Sequence, residues 1–209
     1  PLSSKLSPPL TQARQVLRQA VVRRIAEAGG VKLVLVRAPA GFGKTSLLAQ
    51  WRREHLAHGA VVAWVMAQPQ DGPDRLVRAL ALAVRVGAGR PGFGHTLTEA
   101  VSATGVEGIT LWLAEVAQTA LDLVLIVDEA ERLPEATREV LAYLLRNMPP
   151  NLRAVIASRA DCQTGLDDLI DYGQCAVVGP ALLRLRLDET LELVHKRFGN
   201  RLDPDAAAR

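Results

Sequence analysis

The chain has 209 residues, 49% hydrophobic and 22% charged, a balance that suits one compact globular domain with room for the beginning of a second and excludes disordered or fibrous classes. Two cysteines, Cys162 and Cys175, are too few for a disulfide framework or a four-ligand zinc site and read as buried thiols of a reducing, cytoplasmic compartment, while the longest apolar run, residues 60–67, falls far short of the roughly 18 that a membrane span requires. The net charge of +3 conceals 21 arginines against four lysines, yet 22 acidic residues nearly balance them; codon bias in a GC-rich genome is the plainer reading, and direct binding of nucleic acid through guanidinium groups the alternative.

Residues 1–9 are rich in Ser and Pro and read as a flexible tail. Leu10, Ala13, Leu17, Val21, Ile25 and Ala28 recur at spacings of three and four, which predicts a helix over 10–28 ended by Gly29 and Gly30. A buried strand is expected over 31–37, then a helix from Gly43 to about His58, a second strand over 60–66, and a helix opened by the turn at 71–74 and running to about Val86. The stretch 87–105 is the least regular and reads as a loop or insertion. A helix over 108–119, a strand over 122–128, a helix over 134–147 and a strand over 152–158 follow. A short helix near 166–172, a strand near 174–178 and a final helix over 188–198 complete the order.

Short, nearly continuous apolar strands alternating with helices predict an α/β fold, because only a parallel sheet covered on both faces buries both sides of each strand. About five strands fit one three-layer αβα domain over 10–180, with its crevice at the carboxyl ends of the strands.

The first strand ends in Ala38-Pro39-Ala40-Gly41-Phe42-Gly43-Lys44-Thr45, which is G-x-x-x-x-G-K-[ST] with Ala for the first Gly. Such a loop wraps a phosphate with inward backbone N–H groups, and the following helix adds its positive end. In this pattern Pro39, Ala40, Gly41, Phe42, Gly43, Lys44, Thr45 and Ser46 bind the nucleotide, Lys44 reaching the β- and γ-phosphates and Thr45 the Mg2+. The strand over 122–128 ends in Asp128 and Glu129. Asp128 is the expected second metal residue, and Glu129 the base or positioner of an attacking water. Arg159, just past the strand over 152–158, is placed to read a γ-phosphate, with a structural arginine as the alternative. Gly87-Ala88-Gly89-Arg90-Pro91-Gly92 matches G-x-G-x-x-G but follows a helix rather than a strand, so it is read as a coincidence. His55 and His58 are read as surface residues.

Taken together, residues 34–51, 62–65, 123–128, 144–153 and 157–159 resemble the nucleotide-binding domain of the large MalT-like, LuxR-type transcriptional regulators, members of the STAND class of P-loop signalling ATPases. The chain departs from that family where Asp128-Glu129-Ala130-Glu131 replaces a more usual Asp-Asp-Tyr-His run. The resemblance implies an ATP/ADP switch with slow hydrolysis that controls self-association and transcription activation. It further implies that 181–209 open a helical or winged-helix domain, truncated here, and that effector and DNA are bound by parts outside this chain. A mechanical AAA-type ATPase or loader and a nucleic-acid module remain the competing readings.

Overall fold

Each strand is an almost unbroken apolar run because helices cover both faces of the sheet. The computed structural model describes residues 5, 6, 21, 31–95 and 105–198. Strands β1 (Leu33–Arg37), β2 (Val61–Met66), β3 (Leu123–Asp128), β4 (Leu152–Ser158) and β5 (Cys175–Val178) pair parallel in the order β2-β3-β4-β1-β5. The helices are α1 (Lys44–Ala57), α2 (Pro73–Ala88), α3 (Gly105–Gln118), α4 (Glu135–Arg146), α5 (Asp167–Asp171), α6 (Pro180–Leu183) and α7 (Leu187–Phe198), with a 3-10 turn at Ala130–Arg132.

Side chains alternate between two cores along each strand, as a period of two requires. Leu33, Leu35, Val65 and Val127 enter one core with Leu80 of α2, Trp112 of α3 and Leu144 of α4. Val34, Val36, Trp64 and Ile126 enter the other with Leu47, Leu48 and Trp51 of α1. The α/β class, the parallel sheet and the five strands are therefore as the sequence predicts.

Differences from the expected elements are local. Helix α2 continues to Ala88, through the first glycine of the G-x-G-x-x-G match, and α3 begins at Gly105, three residues ahead of its expected start. The predicted helix over 10–28 lies outside the described residues except for Val21, which packs into the second core. The tail expected over 1–9 needs correction at two positions. Lys5 and Leu6 are buried, since the Lys5 ammonium pairs at 2.7 Å with the buried carboxylate of Asp71 and Leu6 joins the first core. Leu183 of α6 is likewise buried in the second core, so packing against the sheet extends past residue 180. The cysteines differ from one another: Cys175 is buried and its thiol is pushed up to about 11 by burial, whereas Cys162 is half-buried beside Arg138.

Candidate functional site

All five strands point the same way, so their carboxyl ends meet at one edge of the sheet. The link from β4 crosses β1 to reach β5, while the link from β1 leads back to β2 at the opposite edge. Connections that diverge in this way open a crevice between the tips of β1 and β4.

Residues 38–43 leave β1 at that crevice and turn into α1. The Ala38 N–H donates to Ser158 O at 3.3 Å, which hooks the start of the loop to the tip of β4. Gly41 and Gly43 have φ of 82° and 78°, a region that side chains disfavour, and so these two positions call for glycine. Gly43 also stands at the N-cap of α1, where no side chain caps the helix and no acidic residue occupies the first turn. The Leu47 N–H donates to Gly43 O at 2.9 Å, closing the first turn of α1, and the positive end of the helix meets the glycine loop. Lys44 folds back over that loop, its Nζ donating to Ala38 O at 2.7 Å and Pro39 O at 3.0 Å. An ammonium has three donors, and the third remains for an anion held by the loop.

The Thr45 hydroxyl donates to Asp128 Oδ2 at 2.8 Å, joining α1 to the tip of β3. Asp128 is almost fully buried, which pushes its carboxyl above the ordinary value; the bonds from Thr45 and from the Glu129 N–H at 2.9 Å work in the opposite direction. A hydroxyl touching a carboxylate is a hard-oxygen donor pair of the kind Mg2+ takes, so these residues fit that ion. Glu129 has φ of 57° and ψ of 37°, the one non-glycine with positive φ among the described residues, and its carboxylate pairs with Arg132 Nε at 2.9 Å. Arg159 is the first residue past β4, and its Nε lies 3.3 Å from Glu131 Oε1.

The structure thus brings Gly41, Gly43, Lys44, Thr45 and Asp128 to one crevice, with Glu129 and Arg159 at its rim. Pro39, Ala40 and Phe42 lie in the same loop, Phe42 leaning on the second core, and Ser46 sits in the first turn of α1. The sequence reading missed Glu131, the partner of Arg159; only its place three residues after Asp128 pointed to it.

The AAA ATPase domain family (AAA_16) matches residues 11–156. The chain belongs to that family. As an AAA ATPase domain it is a nucleotide-binding module, and the resemblance to the MalT-like regulators stands. The transcriptional regulator MalT of Cronobacter sakazakii is 26% identical over 216 residues, covering 100% of this chain and 23% of its own length. The serine/threonine-protein kinase PknK of Mycobacterium tuberculosis is 28% identical over 207 residues, covering 96% of this chain and 18% of its own. The chain therefore spans about a fifth of these relatives. Among solved structures, the Aeropyrum pernix Orc1 protein in complex with DNA superposes with a TM-score of 0.56 at 18% identity, covering 95% of this chain and 56% of that one. AMPPCP-bound DnaA from Aquifex aeolicus gives 0.51 at 14% identity, covering 90% and 52%. These superpositions support the AAA ATPase fold. No helix among the described residues is long and apolar enough to cross a membrane.

Proposed function

We propose that the chain is the ATP-binding switch of a larger regulator, hydrolysing ATP slowly and using nucleotide state to control self-association and transcription activation. One observation carries the reading: the Thr45 hydroxyl meets Asp128 at 2.8 Å at the mouth of a loop whose Gly41 and Gly43 adopt positive φ. In this reading the backbone of Pro39, Ala40, Gly41, Phe42, Gly43, Lys44, Thr45 and Ser46 surrounds the phosphates and Lys44 neutralises them. Thr45 and Asp128 hold Mg2+, which neutralises charge on the phosphate oxygens when bound. Glu129 orients the attacking water and Arg159 reads the γ-phosphate.

Slow turnover is supported by the Arg132 guanidinium, which occupies the Glu129 carboxylate. The match to MalT along the whole chain supports the regulatory role, a cytoplasmic setting, and the assignment of effector and DNA to other parts of the protein. Residues 181–209 are proposed to begin a helical or winged-helix domain, in line with helix α7.

Calorimetry with ATP tests the site: Lys44→Ala is expected to abolish measurable binding with the fold intact, and unchanged affinity would sink the assignment. The competing reading, a mechanical ring ATPase, draws on the carboxylate of Glu129 directly after Asp128. Turnover separates the two. Glu129→Gln changes little in a slow switch, whereas a ring ATPase loses most of its rate.

A further inference from the structure

Arg159 stands at a junction. It follows Ser158, whose carbonyl accepts the Ala38 N–H at 3.3 Å, and so it is one residue from the strand tip that anchors the glycine loop. Its guanidinium reaches across to Glu131 on the 3-10 turn after Asp128, with a single contact at 3.3 Å. The partners differ in exposure, Glu131 at 15% and Arg159 at 53%. The second oxygen of Glu131, Oε2, is buried without a hydrogen-bond partner. A buried carboxylate oxygen left unpaired is under-satisfied, so Glu131 is set to accept another donor. One is near. A solvent-open hollow of about 390 Å3 is lined by Glu131, Arg159 and also Arg138, whose Nε is likewise buried and unpartnered while its Nη1 donates to Gln163 O at 3.0 Å.

We propose that Glu131 is a positioning residue that holds Arg159 at the crevice rim and releases it to a γ-phosphate, so that the Glu131–Arg159 pair sets the preference for tri- over diphosphate. The proposal rests on the reading of the glycine loop as a phosphate site. An ion pair with one contact and a half-exposed arginine is weak, whereas a terminal phosphate offers a guanidinium more charge and a bidentate grip. The exchange therefore runs toward the phosphate when it is present and back to Glu131 when it is gone. Arg138, on α4, is the replacement partner for Glu131.

The test measures the affinities of the whole 209-residue chain for ADP and for the non-hydrolysable triphosphate AMPPCP, both with Mg2+, by calorimetry. Glu131→Gln removes the competing charge at constant size, so the triphosphate-to-diphosphate affinity ratio is expected to rise about two- to five-fold, the strength of an exposed ion pair, with ADP affinity unmoved. Glu131→Asp, which shortens the reach, should move the ratio the same way. Arg159→Ala should lower the ratio, and in that background Glu131→Gln should no longer change it. A ratio that stays put in both Glu131 variants, or a shift that persists without Arg159, overturns the proposal while leaving the phosphate site standing. Failure of the unaltered chain to bind either nucleotide overturns both.

Discussion

Glu129 is held in a left-handed backbone conformation that ordinarily costs a side-chain-bearing residue about 1–2 kcal/mol. Its N–H is fixed to Asp128 Oδ1 and its carboxylate to Arg132, so the strain sits at the rim of the crevice. Glu129→Gly relieves the strain and Glu129→Ala does not; chemical denaturation should find the glycine variant about 1 kcal/mol more stable than the alanine variant. Equal stabilities would mean that the turn relaxes freely. His55, expected at the surface, is instead half-buried and stacked on Trp51 with ring centroids 5.7 Å apart. Burial, with the charge of Arg153, lowers its pKa to about 4. The unfolded chain takes up a proton first, near pH 6.5, so this contribution to stability is full above that pH and is lost between about 6.5 and 4. Allowing for solvent screening, the loss is on the order of 1–2 kcal/mol. Thermal melts should show a smaller fall in Tm from pH 7 to 4.5 for His55→Gln than for the unaltered chain, and parallel falls would refute it. The scattered arginines also gain local meaning here. Arg153 takes both oxygens of Asp122, Arg146 takes both of Asp168, and Arg37 donates to Thr164 and the Cys162 carbonyl.

The element-scale pattern explains what the sequence made legible. Strands such as Leu123–Asp128 carry five consecutive apolar residues and a terminal carboxylate, a signal strong enough to place both the strand and the tip that meets Thr45. The 3-10 turn at Ala130–Arg132 and the four-residue α6 are too short to show any period, so they could not be read. Pairings such as Glu131 with Arg159 and Lys5 with Asp71 join segments far apart in the chain, and nothing local encodes them. The G-x-G-x-x-G match has a mechanical explanation. Gly87 lies on α2 so close to β2 that an added Cβ would overlap the Val62 carbonyl, while Gly89 ends the helix in a left-handed conformation with φ of 61°. Gly87→Ala should therefore destabilise the chain by about 1–3 kcal/mol despite the better helix propensity of alanine. A gain in Tm would show that helix and sheet move apart at little cost.

At the scale of the whole molecule, Lys5 and Asp71 close a span of 66 residues with an almost fully buried ion pair, supported by Arg75 Nε at 3.1 Å and the Gln68 N–H at 2.9 Å. Among the described residues, Lys5→Met leaves Asp71 with the exposed Arg75 and one backbone donor, a loss of about 2–3 kcal/mol by the measure of broken buried pairs. Adding Asp71→Asn, which removes the stranded charge and keeps an acceptor for Gln68, should recover most of it. A double variant no more stable than Lys5→Met would show that the lysine acts through packing alone.

The same clasp fixes Lys5 to one side of the sheet. Asp71 follows the carboxyl end of β2, the side of the sheet that bears the glycine loop, and the Ala67 N–H at the start of that connection donates to Asp128 O at 2.9 Å. Lys5 is therefore anchored on the crevice side of the sheet. A change that breaks the clasp acts on the same side of the sheet as the glycine loop.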